Sequence, residues 1–226
     1  MSPHSVRKLA LSLAMFVVVA LASSLTAQAD PVTFTLGGAD FSGPTANTGG
    51  TITVNIQNIA GGVRISISNN LVDPGAFLSA LYLNTSVAPL AAPLGTCVDC
   101  AATNGQTMTF NFGVDAFKAD GDGLYDILID FSTVSGDRLE PGEVITFDIT
   151  STTVGFTSDS FLVFSAPAGG HGPFRVAAHL QSLPNGESDF VTETQVPEPT
   201  SMLLLGTGLA SLAAGLRKRY KRKDCE

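Results

Sequence analysis

The stretch TITVNIQNIAGGVRISIS, residues 51–68, decides the fold class, because apolar and polar residues alternate along both of its halves. In the first half, Ile52, Val54 and Ile56 fall on one side of an extended chain, with Thr and Asn on the other. The second half, from Val63 onward, repeats the alternation. The Ala60-Gly61-Gly62 segment between the halves supplies the positive φ angles that a tight hairpin loop needs. The stretch therefore predicts an antiparallel β-hairpin with one buried face.

Similar alternation runs from Val32 to Val191, and no segment of this span shows a sustained helical period. Turn signals rich in Gly, Pro, Asn and Asp separate the alternating runs. Further strands are predicted at 32–36, 77–85, 106–112, 124–132, 143–152, 161–165, 174–183 and 188–193. The large aromatic residues predicted to point inward are Phe34, Phe110, Phe112, Phe131, Phe147 and Phe161. About ten short strands with polar outer faces predict an all-β domain, a β-sandwich or jelly roll of two packed antiparallel sheets.

The N-terminal segment has the pattern of a secretory signal peptide. Arg7 and Lys8 precede a long uncharged apolar run, and Ala27-Gln28-Ala29 follows as a small-residue site for signal peptidase. We therefore expect residues 1–29 to be a helical signal peptide and the exported domain to cover residues 30–195. The alternative is a permanent N-terminal anchor helix.

A second apolar segment lies at residues 201–216, which contain no charged residue. As a helix this segment would be about 24 Å long, slightly short of a typical hydrocarbon core. Residues 217–226 form a predicted cytoplasmic tail that is rich in basic residues. These residues are Arg217, Lys218, Arg219, Lys221, Arg222 and Lys223. By the positive-inside rule, this arrangement predicts a transmembrane helix with residues 30–200 outside the cytoplasm. The alternative is an amphipathic helix that ends a soluble domain.

The segment Val196-Pro197-Glu198-Pro199 stands directly before the apolar run. The Pro-Glu-Pro triplet, the short apolar helix and the basic end, in this order over 196–226, resemble the PEP-CTERM sorting signal. The resemblance implies cleavage near the triplet by an exosortase-type membrane protease, so that the helix inserts only transiently in the inner membrane. It also implies a Gram-negative host that makes extracellular polysaccharide, with delivery to the cell surface or beyond. The alternative is a simple tail anchor.

The middle segments FLSALYLN, DGDGLYDILIDFST, EVITFDIT and FRVAAHLQSL resemble those of other small exported PEP-CTERM proteins, whose biochemical role is uncharacterised. This weaker resemblance extends over most of residues 32–193. It implies no catalytic residue.

The expected exported part is strongly acidic. Between residues 30 and 200 there are four basic and 18 acidic residues, hence a net charge of −14, against −8 for the whole chain. Since like charges repel, this part is a poor candidate for binding nucleic acid or anionic lipid. Divalent cations and colloidal solubility fit this charge better.

Cysteine placement is consistent with export. Cys225 falls in the predicted cytoplasmic tail, which leaves Cys97 and Cys100 as the exported pair. In an oxidising compartment this spacing predicts a local disulfide that ties a loop rich in Ala, Pro and Gly. A redox motif or a zinc site would need a helix start or further ligands.

Calcium is the metal that the acidic residues could hold. Asp120-Gly121-Asp122-Gly123, with Asp126 beyond it, resembles the start of a calcium loop, where glycines allow carboxylates to converge. The stretch departs from the EF-hand pattern, because Leu124 takes the third ligand position. The alternative is an acidic hairpin turn, with Asp126 and Asp130 pointing to solvent.

No nucleophile elbow, phosphate-binding loop or dinucleotide motif is present, and we predict no enzymatic activity. We interpret His171 as a loop residue and His179 as a half-buried strand residue. With no Trp, and with only Tyr82 and Tyr125 in the exported part, an aromatic platform for sugar rings is poorly supplied. Our leading interpretation is a non-enzymatic surface or matrix protein linked to exopolysaccharide and biofilm. The alternatives are a calcium-dependent or polysaccharide-binding module and an extracellular polysaccharide hydrolase.

Overall fold

The structure is a computed structural model, and it describes residues 31–40, 50–100, 107–120, 123–170 and 172–193. The strands are β1 (Val32–Asp40), β2 (Thr51–Ile59), β3 (Gly62–Asn70), β4 (Phe77–Leu83), β5 (Leu94–Asp99), β6 (Met108–Lys118), β7 (Leu124–Phe131), β8 (Val144–Thr150), β9 (Val176–Leu183) and β10 (Glu187–Glu193). Two 3₁₀ turns, Ser158–Phe161 and Pro184–Gly186, lie before and after β9. The all-β prediction is confirmed.

Several predicted features lie outside the described residues. They are the signal peptide with Ala27 and Ala29, the sorting segment 196–226, Asp122 and His171. Among the residues that are described, no helix has the length and apolar character needed to cross a bilayer.

The hairpin predicted at residues 51–68 is present as β2 and β3. Ile59 pairs with Gly62, so the loop consists of Ala60 and Gly61, and Gly61 has a φ of 77°. Gly62 is needed for a different reason from the predicted one. A Cβ atom on Gly62 would collide with the backbone of β8 at Ile149, so this glycine permits close strand approach.

Two strand predictions need correction. The strand predicted at 161–165 is wrong, because Phe161 closes a 3₁₀ turn and the residues after it are irregular. The strand β5 was not predicted, since most of its side chains are exposed and do not alternate. It is an edge strand that pairs with β8 alone.

The ten strands form one continuous antiparallel sheet, so the predicted β-sandwich is present as a curled, nearly closed sheet and not as two unconnected sheets. The strand order is β5-β8-β3-β2-β1-β10-β9-β4-β7-β6. The sheet curls until its outermost strands meet, since the ring of Phe110 in β6 lies directly against Gly95 in β5. Phe110 also contacts Phe147 in β8 edge-on, with ring centroids 5.3 Å apart. The result is a nearly closed β structure around one main core.

The predicted inward aromatics lie in or against this core. The buried ones are Phe34, Phe131, Phe147 and Phe161. Phe110 and Phe112 are partly buried and pack against the same cluster. The inner face of the curled sheet is thus predicted correctly from alternation.

Candidate functional site

The sorting residues Val196, Pro197, Glu198 and Pro199 follow closely on the end of β10. The last described residue, Glu193, pairs with Leu36 of β1 in the middle of the sheet. Its carboxylate lies 3.5 Å from the Arg175 guanidinium. Burial raises the pKa of Glu193, and the nearby Arg175 charge opposes that shift. The strand that precedes the sorting residues is therefore firmly held within the sheet.

The cysteine pair is joined as predicted, with Cα atoms 6.0 Å apart in the Cys97–Cys100 disulfide. The surroundings differ from the prediction, because Cys97 lies within β5, opposite Phe147, and not in a loop. The disulfide therefore ties the end of an exposed edge strand to the chain that leaves it.

Asp126 does not point to solvent. It is buried in β7, and its two carboxylate oxygens accept hydrogen bonds from the backbone N–H groups of Thr85 (3.0 Å) and Asp115 (2.9 Å). Asp115 stands in β6 with a φ of 49°, where the pairing register with β7 shifts. The Asp126 carboxylate in β7 thus holds two other segments in place, the irregular part of β6 and the chain that follows β4.

Asp120 is exposed just after β6, and Asp122 lies outside the described residues. Within the described ranges, no three or more His, Cys, Asp or Glu side chains are arranged to hold a metal ion. Calcium binding through Asp120, Asp122 and Asp126 stays a prediction, which titration calorimetry on the processed protein would test.

A second cluster of apolar side chains lies apart from the main core, on strands β4, β7, β9 and β10 and around the end of β6. Its fully buried members are Ala119, Tyr125 and Ala177. Its partly buried members are Tyr82, Phe117, Phe174 and Phe190. This part of the sheet therefore packs side chains on both of its faces.

Strand register places two rows of residues side by side across β7, β4, β9 and β10, on the face away from the main core. One row consists of Asp130, Ala80, His179 and Phe190. The other consists of Leu128, Tyr82, Ala177 and Thr192. Directly paired residues share a face of the sheet, and the two alanines of these rows, Ala80 and Ala177, are buried on it.

Three partly exposed rings dominate these rows, and we call Tyr82, His179 and Phe190 the aromatic face. His179 and Phe190 are stacked, with centroids 4.4 Å apart and planes inclined by 22°. Tyr82 contacts Phe190 at 5.9 Å and the buried ring of Tyr125 at 5.7 Å. The rings are held by packing on the sheet and not by a loop.

His179 is fixed by Ser79. The Ser79 Oγ atom lies 2.8 Å from Nδ1 of His179 and 3.1 Å from its carbonyl oxygen. Both contacts are satisfied when Oγ–H donates to the carbonyl and Nδ1–H donates to Oγ, which leaves Nε2 as an acceptor. Ser79 itself is buried, so its hydroxyl serves as an anchor for the imidazole and not as an accessible nucleophile.

The aromatic face is uncharged at neutral pH. Burial lowers the pKa of His179 below its ordinary value of 6.5, and Asp120 only partly opposes this. Burial, and secondarily the Asp130 charge, raise the pKa of Tyr82 above 10.0. Both side chains are therefore neutral near pH 7.

A polar pair borders the aromatic face on the β7 side. Asp130 is exposed, and its Oδ2 accepts a hydrogen bond of 3.0 Å from the Asn111 side chain in β6. Partial desolvation raises the pKa of Asp130, whereas the Asn111 bond lowers it. A carboxylate and an amide thus stand beside uncharged rings.

The aromatic face is not evident from the sequence, because Tyr82 and His179 are far apart along the chain and Phe190 belongs to no motif. The signal available was weak: FLSALYL in β4 and VAAHLQSL in β9 lack strict alternation, which is expected where a strand is buried on both faces.

Comparison with known proteins identifies one segment of the chain. Residues 195–219 match the PEP-CTERM protein-sorting motif, which confirms the resemblance seen in the sequence. This signal implies an exported protein that is processed by an exosortase. No curated protein matches the chain significantly.

One solved structure that matches the chain is described as a biomass-sensing module from putative Rsgi-like proteins of Clostridium thermocellum that resembles the family 3 carbohydrate-binding module of the cellulosome. The two share 15% identity over 74% of this chain and 99% of that chain, with a TM-score of 0.32. A likeness this low indicates nothing about a shared ligand.

Proposed function

We propose that this protein is a non-enzymatic component of the cell surface or extracellular matrix that associates with exopolysaccharide. It crosses the inner membrane by its signal peptide and is held transiently by the helix at 201–216. An exosortase then cleaves near Pro197-Glu198-Pro199 and releases the β domain outward. The observation that carries this proposal is the sorting motif at 195–219, which begins two residues after β10 ends.

The short distance between the sheet and the cleavage motif supports a role in sorting. Only residues 194–196 separate Glu193 from Pro197. Even fully extended, this connection spans about 14 Å. Cleavage therefore takes place close to the folded sheet, and Pro197 and Pro199 favour the extended backbone that a protease cleft binds.

Charge and cysteine chemistry agree with an extracellular destination. The net charge of −14 between residues 30 and 200 favours solubility and disfavours binding to nucleic acid. The Cys97–Cys100 disulfide is typical of proteins that leave the reducing cytosol.

The test is to replace Pro197, Glu198 and Pro199 together by alanine in the host. We expect export to continue while full-length protein, still carrying residues 217–223, accumulates in the inner membrane. Intact-mass measurement of membrane and surface fractions reports both ends of the chain. A matched control replaces the surface residues Glu187 and Ser188 of β10 and should be processed normally. Normal processing of the triple variant would contradict the proposal.

A further inference from the structure

We propose that the aromatic face of Tyr82, His179 and Phe190, bordered by Asp130 and Asn111, is a binding site for an uncharged polysaccharide chain. This inference rests on the proposed delivery of the domain to the cell exterior, and it names the surface and the ligand class that act there.

The combination of side chains on the aromatic face suits a sugar ligand. Sugar rings present flat patches of C–H groups, which pack on aromatic rings, together with hydroxyl groups that require hydrogen-bond partners. The rings of His179 and Tyr82 lie with centroids 4.4 Å and 5.9 Å from that of Phe190. Asp130, Asn111 and the acceptor Nε2 of His179 supply the partners.

The length of the aromatic face suits a chain of sugars. The row from Asp130 to Phe190 crosses four adjacent strands, and at about 4.8 Å between strands it extends about 14 Å. This length accommodates more than one sugar ring. Ala80, Ala177 and Thr192 are buried, so the accessible surface of the two rows is formed by the three rings, Leu128 and Asp130.

The rings of the aromatic face are held in place before any ligand binds. His179 is held by Ser79, and Tyr82 lies against the buried ring of Tyr125. Rings that are already fixed lose little conformational entropy when a ligand binds. The outer face of β2, β3 and β8 differs, because it carries mostly Thr, Ser and Asn side chains and offers no ring.

The charge around the aromatic face selects among polysaccharides. The two rows carry no Lys or Arg, and their acidic residue is Asp130, within a strongly acidic domain. A polyuronate or sulfated polymer would be repelled, whereas a neutral polymer would not. The ligand class is therefore an uncharged glycan.

Affinity electrophoresis of the naturally processed protein tests this inference. The gels contain a soluble β-glucan, a galactomannan, a xylan or, as the charged polymer, a polyuronate. We expect retardation by at least one neutral polymer and none by the polyuronate. Phe190→Leu and Tyr82→Leu keep apolar volume but remove the rings, and each should weaken binding about tenfold.

Two further variants make the result specific. Asp130→Asn keeps the side-chain shape and should weaken binding by a smaller factor. Thr53→Ala, on the outer face of β2, is the matched control and should bind like the wild type. Near-ultraviolet circular dichroism verifies that each variant is folded.

The outcomes separate this inference from the proposed function. Correctly processed, folded protein that no neutral polymer retards would overturn the binding site and leave sorting intact. Equal binding by wild type and both leucine variants would also overturn it, as would binding to the polyuronate alone. A chain that is never exported or cleaved would overturn the proposed function instead.

Discussion

Two parts of the same sheet bury their side chains differently. In β2 and β3, buried inner residues such as Val54 and Ile65 alternate with partly exposed polar ones. In β4, by contrast, six of seven residues are buried, and in β9 five of eight. The part that contains β2 and β3 has one packed face and one solvent-facing face, whereas the part that contains β4 and β9 is packed on both faces. The proposed binding surface therefore lies in the part of the sheet where strict alternation is absent.

The largest difference in the free energy of unfolding should follow when a carboxylate is placed on the outer face of each part in turn. Ala177→Asp puts a carboxylate into the second apolar cluster, whose described members include no basic residue. It should lower the free energy of unfolding by about 4 kcal/mol. Thr53→Asp puts the same group on the polar face of β2 and should change that free energy by about 0.5 kcal/mol or less. Urea unfolding of the processed proteins measures both, and equal losses would refute the contrast between the two parts.

Removing a carboxylate from each part should give the next largest effect. Asp126→Ala leaves the N–H groups of Thr85 and Asp115 without their acceptor and should cost about 3 kcal/mol. Asp148→Ala breaks the two hydrogen bonds to Arg64 on the polar side, but water can replace them, so the loss should be smaller. Thermal unfolding ranks the stabilities of the two variants. A larger loss for Asp148→Ala would show that the buried hydrogen bonds of Asp126 contribute less to stability than the partly exposed ion pair.

The two parts also meet where the curled sheet closes, at the contact between β5 and β6. Disrupting this contact should have a smaller effect on stability. Gly95→Val would force the Phe110 ring away from β5 and should cost about 2 kcal/mol. Gly170→Ala, where a Cβ would meet no neighbour, is the control and should be nearly neutral. Protection of β5 amides in hydrogen exchange should fall in the valine variant alone. Unchanged protection would mean that the edges do not depend on this contact.

The smallest expected effect is a pH dependence of the free energy of unfolding, and it arises in the part of the sheet that is packed on both faces. Burial lowers the pKa of His179, so around pH 6 the unfolded chain binds more protons than the folded one. The stabilising contribution of neutral His179 is therefore present above its ordinary pKa of 6.5 and is lost as the pH falls. Burial raises the pKa of Glu193, which acts in the opposite direction nearer its ordinary value of 4.5.

Melting temperatures between about pH 7.5 and pH 6 isolate the histidine from the glutamate. The wild type should lose more stability over this range than His179→Gln, whose side chain does not titrate. Parallel curves for the two proteins would show that His179 is not held neutral by its surroundings.

The amino-acid sequence by itself determined the sorting signal, the disulfide partners, the all-β class and most of the inner face. These features depend on contiguous residues: Pro197-Glu198-Pro199 is a linear signal, and the period of two along β2 and β3 is written in adjacent positions. Only the tertiary structure decided that ten strands form one curled sheet, that Leu94–Asp99 is an edge strand, that Asp126 is buried and that Tyr82, His179 and Phe190 adjoin. The reason is that the pairing of β4 with β9 joins residues about a hundred positions apart, and nothing local to either strand specifies which side chains its neighbour will place beside it.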